Sequence, residues 1–376
     1  MDNLTKYKLF FGCMKTIGAS AMGRLLSEYG NEKNIYKLSE KQIMNLKILT
    51  PNQKKEFCMF KKKFDIDKSL EKMIKSGIKF VTMDMEEYPG RLKNIPNKPY
   101  RLFYYGELPR DDIPSVAVIG ARKCSPYGEE MAALFSKKLA LSGIQIVSGL
   151  ASGIDGRAQW EALEAGGKSY GILGCGVDIC YPNENKTLYN KLKNNGGIIS
   201  EFAPGTAPLA TNFPVRNRII SGLSDIVLVV EAKEKSGTVI TVNMALEQGK
   251  DVFAVPGRCI DALSYGCNKL ISEGAGIAYN VDCILENINI NRSEEKCESK
   301  DVLNGPLNEN MAEFDNPIWN IVIDTIYNKT QTVDDIFSAL VQKNININIE
   351  DLKIEMMQME LEGIICERGG MYSKCL

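Results

Sequence analysis

The residues best placed to do chemistry sit in four small-residue turns and one arginine-rich segment. Gly120-Ala121-Arg122-Lys123-Cys124-Ser125 follows the apolar run Val116–Ile119. A glycine lets the chain turn tightly, and the helix start beyond it offers N–H groups and the positive end of a dipole. Arg122 adds a forked cation that matches a phosphate. Ser148-Gly149-Leu150-Ala151-Ser152-Gly153-Ile154-Asp155 makes a second cradle after Ile144–Val147. Asp155 either caps the next helix there or belongs to the site. Gly174-Cys175-Gly176 and Ser236-Gly237-Thr238 are the other two turns. Neither Gly-x-Gly-x-x-Gly nor Gly-x-x-x-x-Gly-Lys-Ser/Thr occurs in these turns, so they lack the dinucleotide and nucleoside-triphosphate fingerprints. Four such turns on one edge would form a broad anion-accepting groove rather than a single pocket.

The arginine-rich segment is Thr211-Asn212-Phe213-Pro214-Val215-Arg216-Asn217-Arg218-Ile219-Ile220. Two arginines flank Asn217 at a predicted helix start, with Phe213 just before. One reading is phosphate contact plus base stacking, because an aromatic beside guanidinium groups suits single-stranded nucleic acid. The other is one surface arginine, one internal salt bridge and a phenylalanine in the core.

Composition removes several alternatives. The 376 residues include no histidine, which excludes Ser-His-Asp triads, Cys-His dyads, imidazole bases and histidine metal sites. The 11 cysteines contain no Cys-x-x-Cys pair and read as reduced thiols packed as small hydrophobes. No metal and no cofactor are expected. No apolar run approaches the roughly 20 residues needed to span a bilayer, and no signal peptide is visible, so the expected location is the cytoplasm. At 44% hydrophobic and 25% charged the chain is globular in character. Charge is unevenly spread. Residues 1–114 hold 22 Lys+Arg against 14 Asp+Glu, and residues 288–376 hold 8 against 16. A basic head and an acidic tail suggest different partners.

The elements that must position these turns come from a change of period along the chain. Residues 1–75 read as short helices. Their turn at Ile17-Gly18-Ala19-Ser20 is like a helix-hairpin-helix, which either touches nucleic acid or serves as a packing or protein-contact domain. From about residue 80, short apolar runs alternate with helical patterns over Gly128–Leu141, Ile154–Ala165, Thr238–Gln248 and Asn268–Glu273. Alternation of this kind implies βαβ units and a parallel sheet covered on both faces. The expected fold over 76–287 is therefore α/β, a Rossmann-like, doubly wound and mostly parallel sheet. Residues 288–314 read as a flexible linker. Residues 315–376, with three helical patterns and a Gly369-Gly370 hairpin, read as winged-helix-like. The third of those helices carries Glu350, Asp351, Glu355, Glu360 and Glu362 against Lys353, which suits a protein contact better than a DNA groove.

Taken in order, several segments resemble the DNA-processing protein A family (DprA, also called Smf). They are Gly120-x-Arg122, the Ser148–Asp155 run, Leu173-Gly-Cys-Gly176, Tyr181-Pro-Asn-Glu-Asn185, Ser200-Glu-Phe202, Phe213-Pro-Val-Arg-Asn-Arg218, Ser236-Gly-Thr238 and Phe253-Ala-Val-Pro-Gly257. The resemblance covers about 115–285. It implies an N-terminal sterile-alpha-motif-like domain and a C-terminal winged helix. It also implies a non-enzymatic protein that binds single-stranded DNA, forms a homodimer and loads RecA recombinase during natural transformation. Carried over by motif, the DNA-binding residues would be Gly120, Arg122, Ser125, Ser148, Gly149, Ala151, Gly153, Asp155, Gly174, Gly176, Phe213, Arg216, Asn217, Arg218, Ser236 and Gly237. Lys168 and Lys186 match basic positions along the same groove. One departure is Gln159, where the family usually has histidine. The rival readings are a nucleotide sensor and a phosphoribohydrolase-like enzyme. The latter would need a glutamate soon after Gly237-Thr238, where Val239, Ile240 and Thr241 stand instead.

Overall fold

The computed structural model describes residues 4–289, 316–326, 331–343, 345, 347–361, 364–368 and 371–374. The chain forms two compact units, Met1–Glu298 and Ser299–Leu376.

The first unit begins with six helices: α1 (Thr5–Cys13), α2 (Ala19–Tyr29), α3 (Glu32–Lys37), α4 (Glu40–Asn45), α5 (Pro51–Lys63) and α6 (Ile66–Lys75). Their starts are set locally. Ser39 with Gln42 and Thr50 with Gln53 form capping boxes, and Asp65 caps α6. Their apolar sides close over Phe10, Phe11, Met14, Ile17 and Phe57. Ile17 of the small-residue turn is thus a core residue, as is Met14 just before it. This bundle is tied to the margin of the sheet: Tyr100 Oη donates to Glu32 at 2.9 Å, and Lys8 pairs with Asp84.

The sheet has nine strands: β1 (Lys79–Thr82), β2 (Arg101–Gly106), β3 (Ser115–Ile119), β4 (Gln145–Ser148), β5 (Ser169–Ile172), β6 (Gly196–Ser200), β7 (Ile226–Val229), β8 (Asp251–Ala254) and β9 (Gly276–Ile277). Their order is β1-β2-β6-β5-β4-β3-β7-β8-β9. From β6 to β9 all neighbours are parallel, while β1–β2 and β2–β6 are antiparallel. Helices cover the sheet: α7 (Gly90–Lys93), α8 (Pro126–Leu141), α9 (Ile154–Glu164), α10 (Lys186–Asn194), α11 (Asn212–Gly222), α12 (Gly237–Glu247), α13 (Tyr265–Ser272) and α14 (Asp282–Asn289). Every residue of β3, β4 and β7 is buried, which is why Val116–Ile119 and Ile226–Val229 read as unbroken apolar runs; the polar Ser115, Gln145 and Ser148 are buried with their side chains hydrogen-bonded. Ala117, Val147 and Val227 pack on one face, and Val116, Ile146 and Ile226 on the other.

The winding reverses at β3. From β3 the chain builds outward through β4, β5 and β6, then crosses back to lay β7 on the other side of β3. Such a reversal opens a crevice at the carboxyl ends of the two diverging strands. The turns after β3 and β7 are the ones that carry Gly120–Ser125 and Ser236–Thr238.

The second unit contains α15 (Pro317–Ile326), β10 (Gln331–Thr332), α16 (Val333–Gln342), α17 (Ile349–Leu361), β11 (Ile365–Arg368) and β12 (Met371–Lys374). The strands pair in the order β10-β12-β11, all antiparallel. Three helices with a small sheet match the winged-helix-like expectation. Leu352, Met356 and Met359 of α17 face the core, while Glu350, Asp351, Ile354, Met357 and Glu360 are exposed. The segment read as a linker lies almost wholly outside the described residues, as does the Gly369-Gly370 turn.

Candidate nucleic-acid interface

The turn after β3 is anchored from below. Ser125 is the N-cap of α8, and its Oγ accepts the Gly128 N–H at 3.1 Å. Ser125 N–H donates to Glu231 Oε2 at 2.9 Å and Ser125 Oγ donates to Glu231 Oε1 at 2.5 Å. Glu231 is 2% exposed. A buried internal carboxylate therefore already occupies the positive end of α8, where the sequence suggested an external phosphate. Arg122 and Lys123 project from the exposed part of this turn.

The turn after β4 is built around two buried side chains of opposite charge, Asp155 and Arg216. Asp155 lies in the first turn of α9, but its carboxylate reaches back and accepts the Gly149 N–H at 3.0 Å rather than capping its own helix. Burial pushes its pKa up, against the Arg216 guanidinium and the N–H groups of Gly149 and Gly120. Arg216 is 4% exposed. It donates to the carbonyls of Gly149, at 2.9 Å, and of Ile172. Burial pulls its own value down to about 10, with Asp155 opposing. Space here admits only glycine at two positions. A Cβ on Gly149 would sit 2.6 Å from the Asp155 carboxylate. Gly153, at φ +76°, would place one 2.4 Å from the Ala121 carbonyl. Leu150 takes the left-handed conformation at φ +53°, and Gln159 Oε1 accepts its N–H at 3.1 Å. Asn185 binds the same loop through the carbonyls of Leu150 and Ala151, each at 3.1 Å.

Phe213 stands over this floor, half-buried at the start of α11. The Arg122 guanidinium lies 5.5 Å from its ring centroid, the Arg216 guanidinium 5.7 Å, and the Tyr181 ring 5.6 Å. Gly174 backs it so closely that a Cβ would meet the ring at 2.9 Å. These groups line one cleft of about 750 Å³ together with Lys123, Lys233, Ser236, Gly237 and Thr238. Among the described residues, the only acidic side chain lining it is Asp155, whose charge the nearby Arg216 guanidinium opposes. Arg122, Lys123 and Lys233 are exposed and form no ion pair among the described residues. The cleft is therefore electropositive, aromatic on one wall and open to backbone approach.

The sequence model of the family described as DNA recombination-mediator protein A matches residues 79–289, more than half of the chain. The chain belongs to that family. DNA processing protein DprA of Streptococcus pneumoniae is 46% identical over 192 residues, which are 50% of this chain and 66% of that protein. An X-ray structure of DNA processing protein A from S. pneumoniae superposes with a TM-score of 0.64 at 36% identity. It covers 76% of this chain and 98% of the other. A structure of the Helicobacter pylori protein, described for its unique single-stranded DNA binding mode, gives 0.52 at 29% identity. It covers 57% of this chain and 97% of the other.

The family resemblance assigned more residues to the groove than the structure brings there. Gly120, Arg122, Ala151, Asp155, Phe213, Arg216, Asn217, Ser236 and Gly237 line the cleft. Ser148 lies beneath it, fully buried, with its Oγ donating to the Val118 carbonyl at 2.6 Å. Gly149, Gly153 and Ser125 shape the turns from within. Gly176 packs against the 203–206 loop and donates to the Thr206 carbonyl at 2.9 Å. Arg218 is not a free cation. It is held by Glu201 through paired bonds of 2.6 and 2.7 Å and by the Asn97 carbonyl at 2.7 Å. Lys168 is misplaced by the motif match. It precedes β5, about 13 Å of strand away from the carboxyl rim, and pairs with Glu107 at 3.3 Å. Lys186 is exposed at the start of α10, outside the cleft lining. Gln159, the departure from the family histidine, is fully buried and pins Leu150, so its task is to hold the loop.

Reading the sequence missed Tyr181, Lys123, Lys233 and Thr238 as lining residues. Tyr181 had a signal, an aromatic in the same motif series as Phe213. Thr238 had one as well, a second hydroxyl in the first turn of a helix that begins Ser-Gly. No helix among the described residues is long and apolar enough to cross a membrane.

Proposed function

We propose that the chain binds single-stranded DNA along the carboxyl rim of its sheet and acts as a recombination mediator without covalent chemistry. The observation that carries this reading is the half-buried Phe213, within 5.5 and 5.7 Å of the Arg122 and Arg216 guanidiniums, in a cleft whose exposed charges are cationic. An aromatic face accepts any base, and cations beside it track the backbone. The family membership and the single-stranded DNA binding described for the H. pylori relative support it. Loading of RecA, service in natural transformation and homodimer formation are carried from the family resemblance, and a cytoplasmic location goes with them.

The absence of catalysis is proposed on the state of the two carboxylates nearest the cleft. Asp155 is buried and accepts the Gly149 N–H, and Glu231 is tied to Ser125. Neither is free to take a proton from a bound substrate. The test compares affinity for a single-stranded oligonucleotide with that for the matching duplex, at low and high salt. Tighter and salt-dependent single-strand binding is expected. Equal affinity for both forms, or none for either, overturns the reading.

A further inference from the structure

The unused polar groups of the cleft converge at one helix start. Helix α12 spans 11 residues, and its N-cap residue Ser236 makes no capping bond. Ser236 Oγ is buried without any hydrogen-bond partner. Thr238, in the first turn, is 9% exposed, and its hydroxyl finds no partner among the described residues. Between them, Gly237 leaves open space where a side chain would begin. A polar group buried alone is rare in folded proteins, and one that opens on a cleft is available to complete its bonding with a water or a ligand. Two other helix starts at this rim differ. The start of α8 is filled by the Glu231 carboxylate and the Ser125 cap, and Ile154 N–H at the start of α9 donates to the Ala121 carbonyl at 3.2 Å. Unlike those two, the α12 start is open, with its buried Ser236 Oγ unpartnered. Arg122 and Lys233 line the same cleft, and Phe213 with Tyr181 forms its aromatic wall. Its volume of about 750 Å³ suits one small organic ligand.

We propose that the first turn of α12 is a phosphate subsite and that the cleft holds one nucleoside 5′-monophosphate, phosphate on Ser236, Gly237 and Thr238 and base on Phe213. A free nucleotide then competes with a DNA strand for the protein. The proposal rests on the nucleic-acid reading of the cleft and extends it to a small-molecule competitor. It also assigns the anchoring phosphate to α12 rather than to α8.

The test uses the full chain and three probes: thymidine 5′-monophosphate, thymidine and inorganic phosphate. Calorimetry measures direct binding, and fluorescence anisotropy measures displacement of a labelled oligothymidine. The monophosphate should bind and displace the strand, with thymidine and phosphate each at least about ten-fold weaker, because each keeps only part of the contacts. Ser236→Ala combined with Thr238→Val should weaken the monophosphate about ten-fold or more. The melting temperature should not fall, since the substitutions remove only unpartnered hydroxyls. Strand binding with no monophosphate binding or displacement overturns the proposal and leaves the DNA reading intact. Monophosphate binding without strand binding does the reverse. Unchanged monophosphate affinity in the double variant overturns the assignment to α12.

Discussion

Replacing Arg122 by alanine should change how DNA binding responds to salt more than it changes the fold. Arg122 is exposed, unpaired and stacked over Phe213, so its removal leaves no buried partner behind. Three cations that form no ion pair among the described residues line the cleft: Arg122, Lys123 and Lys233. Each phosphate contact to a single strand contributes about 0.7 to the slope of log affinity against log salt. With one contact apiece, the slope is about −2, and a four-fold rise in salt weakens binding roughly 18-fold. Without Arg122 the slope becomes about −1.4, and the same rise costs about 7-fold. At fixed salt the variant also loses its cation–π contact with Phe213, worth about 0.5–1 kcal/mol at an exposed site. The assay is anisotropy of a labelled oligothymidine titrated between about 50 and 200 mM salt, a range set by the four-fold ratio. Wild-type affinity and slope in a folded Arg122→Ala protein would refute the assignment of this residue to the strand.

Phe213→Ala should lose about 1–3 kcal/mol of strand affinity and keep its fold, as checked by the same titration and by circular dichroism; normal affinity would make Phe213 a packing residue. Arg218→Ala should leave the salt slope unchanged and lower stability in urea, because it breaks the pair with Glu201, whose two side chains are only 12% and 15% exposed. A flattened slope would mean that Arg218 leaves Glu201 to meet DNA. Asp155→Asn tests the buried pair through pH. The folded-state value of Asp155 is raised, so the stability linked to its proton is complete below the ordinary carboxylate value of about 3.9 and is lost as pH rises through the higher folded value. The unfolding free energy of wild type minus that of Asp155→Asn should therefore fall as pH rises from about 4. A difference that stays flat or rises would show that the pair with Arg216 outweighs burial.

The parts of the fold that a local pattern can express were readable from the chain. Val116–Ile119 and Ile226–Val230 are apolar throughout because both faces of the central strands are covered. β1 and β2 escaped notice because Lys79, Arg101 and two half-buried tyrosines sit on an antiparallel margin with no such run. The turn residues were recognised by type, but what fills each turn is decided at long range. Glu231 lies 106 residues from Ser125, and nothing near either residue announces their bond. Arg216 and Arg218 look alike in sequence and diverge in space. One turns inward to carbonyls and Asp155, and the other is taken by Glu201 from the end of β6. Lys168 carried a warning that its motif hid. It precedes its apolar run, whereas every turn that reaches the cleft comes after one.

The cleft draws its walls from Ile119 to Leu263, on both sides of the strand where the winding reverses. No shorter stretch encloses it. While the ribosome is still making the chain, the outward half of the sheet can assemble, but its rim has only one bank until β7 and the start of α12 emerge. A partly synthesised molecule therefore has no finished cleft, and its binding surface is complete only late in synthesis, with closure of the second half.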